Sequence, residues 1–278
     1  MQQAHQKLRF DTTQLETGLQ VHYVQHGDQT EEAIVFLHGY TDSWYSFSRV
    51  LPLLSPEHHA FALDQRGHGD SDKPENGYTA DDFATDVVAF MDAVGIEKAT
   101  LVGHSGGTLI APLVALRSPQ RVSCLVLIGP AIVGATGEAV AELGEEVCDL
   151  EDPVSPEFVR EFQTSTIHGS IPDEFLETVI SESLKLPARV WRDYLEGVML
   201  VPDHVSQLAE IGAPTMILAG KQDAFFPLEE QERLAKHIPN ATLKAYSDTG
   251  HAVHWERPEQ VVRDLETFMR NTSSGSKE

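Results

Sequence analysis

A chain of 278 residues with 43 acidic and 20 basic side chains carries a formal net charge of −23. That balance excludes nucleic acid as a partner, because phosphate binding needs clustered Lys and Arg. It also disfavours a strongly anionic substrate, whose approach the field slows. The 41% hydrophobic content is that of a globular chain with a large core, and the length fits one α/β unit carrying an insertion.

The charge itself leaves two explanations open, solubility through self-repulsion and a salt-adapted source. Cys124 and Cys148 lie in separate segments and are expected as reduced thiols. The first ten residues lack the basic and apolar regions of a signal peptide, and no apolar run approaches 18 residues. A cytoplasmic location without membrane attachment is the expectation. Oligomeric state is not encoded in any of these features.

In chain order, residues 21–24, 33–37, 60–63, 99–102, 124–128, 215–219 and 241–245 form short apolar or β-branched runs that read as strands. Between them, residues 81–93, 108–117 and 228–237 have helical spacing, with Phe83, Val87, Phe90 and Met91 on one face of the first. Alternation of this kind predicts a mostly parallel sheet with helices on both faces. From 134 to 209 the alternation stops. Four or five helical segments follow one another there, punctuated by Pro156, Pro172, Pro187 and Pro202. The expected organisation is therefore a core in two parts, 1–133 and 210–270, a helical cap at 134–209, and a small polar tail at 271–278 that is expected to be disordered.

The chemistry concentrates in three places. Gly103-His104-Ser105-Gly106-Gly107 matches G-x-S-x-G and sits between a strand and an apolar helix. That is the setting of a nucleophile on a strained turn, where flanking glycines remove colliding Cβ atoms. A serine hydroxyl needs a base, and His251 follows the last expected strand on a loop that can reach the same sheet edge. Asp223, just past the strand at 215–219, is the candidate to orient the imidazole; Asp248, three positions from His251, is its rival. The N–H groups of Tyr40, after His38-Gly39, and of Gly106 are the expected oxyanion donors.

Other conspicuous residues have structural readings. His38 is expected to hold its loop, His104 to point into the core, and Asp64 and Arg66 to brace a loop. His58-His59 and the His251/His254 pair lack a third ligand at metal spacing, so no metal is expected, and no phosphate loop of the G-x-x-x-x-G-K-[ST] type occurs. No cofactor is called for. Trp191 and Tyr194 are candidates for the pocket wall, against the commoner role of aromatic residues in a helical core.

Taken in order, Leu37-His38-Gly39-Tyr40, Asp64-Gln65-Arg66-Gly67-His68-Gly69, Gly103–Gly107 and Gly250-His251…Glu256-Arg257-Pro258 resemble the α/β-hydrolase fold superfamily over residues 8–270 outside the insertion. The resemblance implies an eight-stranded, mostly parallel sheet, a helical cap after the sixth strand, and a Ser105–Asp223–His251 triad. Residues 38–54 and Ser71-Asp72-Lys73-Pro74 are most similar to the epoxide hydrolase and haloalkane dehalogenase branch. Those enzymes carry aspartate where this chain has Ser105, and the epoxide hydrolases carry proline where it has Thr41, so their reactions are not carried over. Many relatives also place a bulky residue where this chain has Gly106, which is expected to widen the acyl side of the pocket.

The function expected from the residues is hydrolysis of a small-molecule carboxylic ester, lactones included, through an acyl-enzyme on Ser105. The same triad supports two other reactions, hydrolysis of a carbon–carbon bond in ring-cleavage products and cofactor-free perhydrolysis. A reading from another class is a signalling protein that senses a small ligand in a hydrolase pocket.

Overall fold

Buried apolar runs set the architecture. In the computed structural model, which describes residues 8–27, 33–130, 138–200 and 205–275, eight strands form one sheet in the order β1-β2-β4-β3-β5-β6-β7-β8. They are β1 (Arg9–Gln14), β2 (Gln20–His26), β3 (Ala33–Leu37), β4 (His59–Leu63), β5 (Ala99–His104), β6 (Val122–Ile128), β7 (Thr215–Gly220) and β8 (Ala241–Tyr246). β2 runs antiparallel to both β1 and β4, and every other pairing is parallel. Every residue of β3, β5 and β7 is buried, as strands covered on both faces require.

β1 was not expected from its residues. Its RFDTTQ side chains are almost all exposed, so no apolar alternation marks it; six register pairs with β2 define it. An edge strand with one covered neighbour can be built from backbone hydrogen bonds and charged side chains.

The helices follow local signals. Helix α1 (Ala80–Ala93) starts at a capping box in which Thr79 and Asp82 satisfy each other's backbone N–H groups, and it buries Phe83, Val87, Phe90 and Met91. Helix α2 (Gly107–Arg117) is apolar all round and buried from Gly107 to Ala115, which suits the centre of the molecule. α7 (Leu228–His237), the short α8 (Val253–Glu256) and α9 (Pro258–Gly275) complete the layers. One buried cluster lies on each face of the sheet; on the α9 side, Phe36 and Phe47 pack with tilted rings, centroids 4.8 Å apart. Full burial of each such side chain contributes about 1.5–3 kcal/mol.

Between β6 and β7 lie α3 (Glu138–Cys148), α4 (Pro156–Ser165), α5 (Asp173–Ser183) and α6 (Ala188–Tyr194), with a π turn at Leu195–Met199 and a 3-10 stretch at Val205–Glu210. Pro156 opens α4 behind the Ser155 cap, and Pro172 and Pro187 immediately precede α5 and α6. Pro202 and the junction at 133/134 lie outside the described residues. The polar stretch expected as a disordered tail from 271 instead continues α9 as far as Gly275, and 276–278 lie outside the described residues. Its Thr272 and Ser273 hydroxyls bond back to the Met269 carbonyl within the helix, which extends a segment whose composition alone suggests a loop.

Cys124 is buried in β6 and Cys148 is exposed at the end of α3, and no disulfide joins them. Among the described residues no helix is long and apolar enough to cross a membrane. Strand order reverses around β3, which lies between β4 and β5. The crevice at the carboxyl ends of β3 and β5 is therefore the topological switch point, where open α/β sheets bind ligands.

Candidate active site

β5 ends at His104 and α2 begins at Gly107, leaving Ser105 to turn the chain with φ +49°. A non-glycine residue there is strained, and the surroundings must hold it. The Ser105 N–H donates to the Ile128 carbonyl at 3.0 Å, and the Thr108 N–H and hydroxyl both donate to the Ser105 carbonyl. The flanking glycines are required by contact: a Cβ on Gly107 would stand 2.3 Å from the Leu37 carbonyl, and one on Gly103 2.5 Å from the Gly107 carbonyl. The bend thus presses α2 against β3 and lifts the serine to the sheet edge.

Asp223 and His251 meet from neighbouring loops. Asp223 follows β7 and His251 follows β8, and Asp223 Oδ2 lies 2.9 Å from His251 Nδ1. The same carboxylate accepts the N–H groups of Phe225 and Phe226 on Oδ1, each at 2.9 Å, and Gln231 Nε2 on Oδ2 at 3.3 Å. Burial opposes ionisation here, but the His251 imidazole and the two backbone N–H groups outweigh it and hold the carboxyl below its usual range. Asp248, the rival acid, is exposed, and among the described residues only its carbonyl is engaged, by Arg257. Ser105 and His251 line one pocket, although no hydrogen bond joins the serine hydroxyl to the imidazole among the described residues. Such contacts commonly tighten only when substrate is in place.

The third element is the loop after β3. His38 Nδ1 donates to the Gly39 carbonyl at 2.8 Å, and the Gln65 N–H donates to His38 Nε2 at 3.1 Å, so this histidine holds the loop. The Tyr40 hydroxyl donates to the Trp191 carbonyl at 2.7 Å, pinning the loop to α6, and Thr41 takes φ +61°. Among the described residues, neither the Tyr40 N–H nor the Gly106 N–H has an acceptor, which leaves both available to an oxyanion. Arg66 forks onto Asp86 at 2.6 and 2.8 Å, while Asp64 accepts Trp44 N–H, Asp70 N–H and His22 Nδ1; both brace their loops.

The pocket is narrow and partly open to the surface, and its wall is mostly apolar: Leu143, Phe162, Met199, Phe225, Phe226 and Trp255. Polar groups on it are Tyr40, Asp42, His104, Ser105, Gln163, Thr166 and His251. The insertion therefore supplies Leu143, Phe162, Gln163, Thr166 and Met199. Trp191 and Tyr194, expected on the wall, are instead fully buried in the core behind it. They pack with Tyr40 at centroid distances of 5.4 and 5.6 Å. Gly106 does not widen the pocket either: the Tyr194 hydroxyl occupies that space, 2.3 Å from where a Cβ on Gly106 would stand. Glycine at 106 makes room for a tyrosine of the insertion. His104 is buried, as expected, but it also borders the pocket, and among the described residues neither of its ring nitrogens has a hydrogen-bond partner.

Two acidic residues of the site escaped sequence reasoning. Asp42 borders the pocket beside Ser105, and its only advance signal is its place two residues after Tyr40. Glu256, noted only as part of a motif, ties the insertion to the His251 loop. Its carboxylate accepts the N–H groups of Gly250 at 2.8 Å, Gly169 at 2.7 Å and His168 at 3.2 Å. The Ala252 N–H adds a bond to the Thr166 carbonyl at 3.1 Å.

Comparison with known proteins decides the family. The family described as alpha/beta hydrolase fold matches residues 32–164 and 171–258, which include Ser105, Asp223 and His251. The chain belongs to it. Over 273 residues the chain is 31% identical to 2-hydroxy-6-oxononadienedioate/2-hydroxy-6-oxononatrienedioate hydrolase 2 of Pseudomonas putida, covering 92% of this chain and 93% of that one. It is 26% identical to human epoxide hydrolase 4, over 92% of this chain and 77% of that one. Among solved structures, an esterase from Exiguobacterium antarcticum superposes with a TM-score of 0.82 at 22% identity, over 94% of this chain and all of that one. A meta-cleavage product hydrolase from Pseudomonas fluorescens gives 0.81 at 22% identity, over 94% and 97%. The structural likenesses show the fold, and the sequence relatives make the protein an alpha/beta hydrolase with epoxide hydrolase-like similarity.

This hydrolase buries several imidazoles, His38, His68, His104 and His254 among them. Burial lowers the pKa of His38 and His104 and drives those of His68 and His254 well below the usual histidine range. All four stay neutral in the fold and take up protons only on unfolding, so the unfolded state binds more protons as pH falls below about 6.5. Stability is therefore expected to fall with decreasing pH from that point, each histidine contributing up to about 1.4 kcal/mol per pH unit. Asp223, whose pKa is lowered, adds its own loss below about pH 4. Urea unfolding at neutral pH and near pH 5 measures this, and equal stability at both would contradict it. Among the described residues His22, Asp64 and Asp70 approach metal-ligating spacing, but the Asp64 oxygens already accept three hydrogen bonds and Asp70 pairs with Lys185 at 2.9 Å.

Proposed function

We propose that this hydrolase cleaves carboxylic esters, lactones included, through an acyl-enzyme on Ser105. The observation that carries the reading is the Asp223–His251 pair, held at 2.9 Å, whose imidazole lines a largely apolar pocket together with a serine on a strained bend. His251 takes the proton of Ser105 as its oxygen attacks the acyl carbonyl, and Asp223 fixes the Nδ1–H tautomer and offsets the imidazolium charge. The Tyr40 and Gly106 N–H groups receive the oxyanion, each worth about 3 kcal/mol in the transition state. Collapse expels the alcohol with the proton from His251. Water then repeats the sequence on the acyl-enzyme, releasing the acid and restoring Ser105.

Cleavage of a carbon–carbon bond in a ring-cleavage product is the second reading. The 31% identity to the Pseudomonas putida hydrolase over nearly both chains favours it. A fluorophosphonate probe followed by peptide mapping, with turnover of an ester, lactone and diketone panel, tests both. Label on Ser105 together with ester turnover is the expected result. Turnover confined to the diketones transfers the function to the second reading. Ester turnover with no label on Ser105 removes the assigned nucleophile.

A further inference from the structure

Asp42 is an acidic side chain with little to hold it. It is 3% exposed, yet among the described residues the only hydrogen bonds to its carboxyl group are long ones, from Gln163 Nε2 to Oδ1 at 3.3 Å and from the Ser46 hydroxyl to Oδ2 at 3.1 Å. Charge-assisted bonds to a buried carboxylate are normally nearer 2.7–2.9 Å. His104 Nδ1 stands 3.6 Å from Oδ2, beyond hydrogen-bonding reach, and among the described residues both His104 nitrogens lack hydrogen-bond partners. No Arg or Lys lies on the pocket wall among the described residues. His104 brings no compensating charge, because burial favours its neutral form.

We propose that Asp42 sets the charge of the acyl subsite, so that the hydrolase accepts esters whose acyl part is uncharged and rejects those carrying a carboxylate. The inference rests on the ester reading and specifies its substrate class. The argument is electrostatic. An anionic acyl group in this pocket leaves water beside the Asp42 carboxyl, and in a low-dielectric space with no cation each acid opposes ionisation of the other. An uncharged acyl group loses nothing, and a hydroxyl on it can donate to Asp42. The overall charge of −23 acts in the same direction at longer range.

Dimethyl glutarate and monomethyl glutarate present the same acyl chain without and with a charge, since the free carboxyl of the monoester is ionised at neutral pH. The wild type is expected to convert the diester to the monoester and stop, with kcat/KM lower for the monoester by about a hundredfold or more. Asp42→Asn is expected to shrink that ratio by about tenfold. Because both esters are compared within one protein, any loss common to the two cancels. Asp42→Ser provides the same comparison if the amide disturbs folding, which thermal unfolding reports. Wild type that cleaves the monoester within about tenfold of the diester overturns the proposal. A ratio unchanged in the folded variants overturns it too, by assigning the discrimination to the apolar wall. No cleavage of the diester by wild type removes the ester reading, and this inference with it.

Discussion

Ser105→Ala is expected to lower p-nitrophenyl butyrate turnover by about 10⁵-fold, leaving only what binding and the oxyanion donors supply. The variant keeps the bend, because the Ser105 N–H and carbonyl bonds to Ile128 and Thr108 are main-chain contacts that alanine retains. Alanine is no freer than serine at φ +49°, so the strain at the turn is the same in both proteins. Thermal unfolding should therefore change little while activity disappears, which separates a lost nucleophile from a lost fold. Fluorophosphonate labelling should vanish with activity. Residual turnover above about a hundredth of wild type would place the nucleophile elsewhere.

The parts of the site that were legible in sequence are those that depend on neighbours in the chain. Gly103 and Gly107 mark the bend because small residues are demanded within two positions of Ser105, and the apolar run before them marks β5. Asp223 over Asp248 was a preference from loop position, and the structure pairs Asp223 with His251 while leaving Asp248 exposed. What stayed hidden depends on tertiary packing. The insertion's helices were readable from Pro156, Pro172 and Pro187, but not the faces they turn toward Ser105. Trp191 and Tyr194 have the right chemistry for a pocket wall, yet Tyr40 and the core around it claim both rings. That same packing fills the space beside Gly106. Asp42 and Glu256 lie 214 positions apart in the chain, and only the fold gives either one its partners. β1 is the corresponding case for the sheet, since its identity resides in backbone bonds that polar side chains do not advertise.

Asp223→Asn is expected to cost about 10⁴-fold in kcat with much of the stability retained. An amide has one acceptor oxygen where the carboxylate has two. In the structure Oδ1 accepts two backbone N–H groups and Oδ2 faces His251 Nδ1. Turning the amide so that its NH₂ meets the Phe225 and Phe226 N–H groups would break two buried hydrogen bonds, so the amide oxygen is expected to keep them. The NH₂ then points at Nδ1 and can only donate, which forces Nδ1 to accept and moves the imidazole proton to Nε2. An imidazole protonated on Nε2 has no lone pair to offer the serine hydroxyl, so the base is present but in the wrong tautomer. The loss should therefore appear in kcat more than in KM, and the label on Ser105 should form slowly without being abolished. Steady-state kinetics with p-nitrophenyl butyrate and timed fluorophosphonate labelling measure the two together. A kcat within tenfold of wild type in a folded Asn variant would mean that another group orients His251.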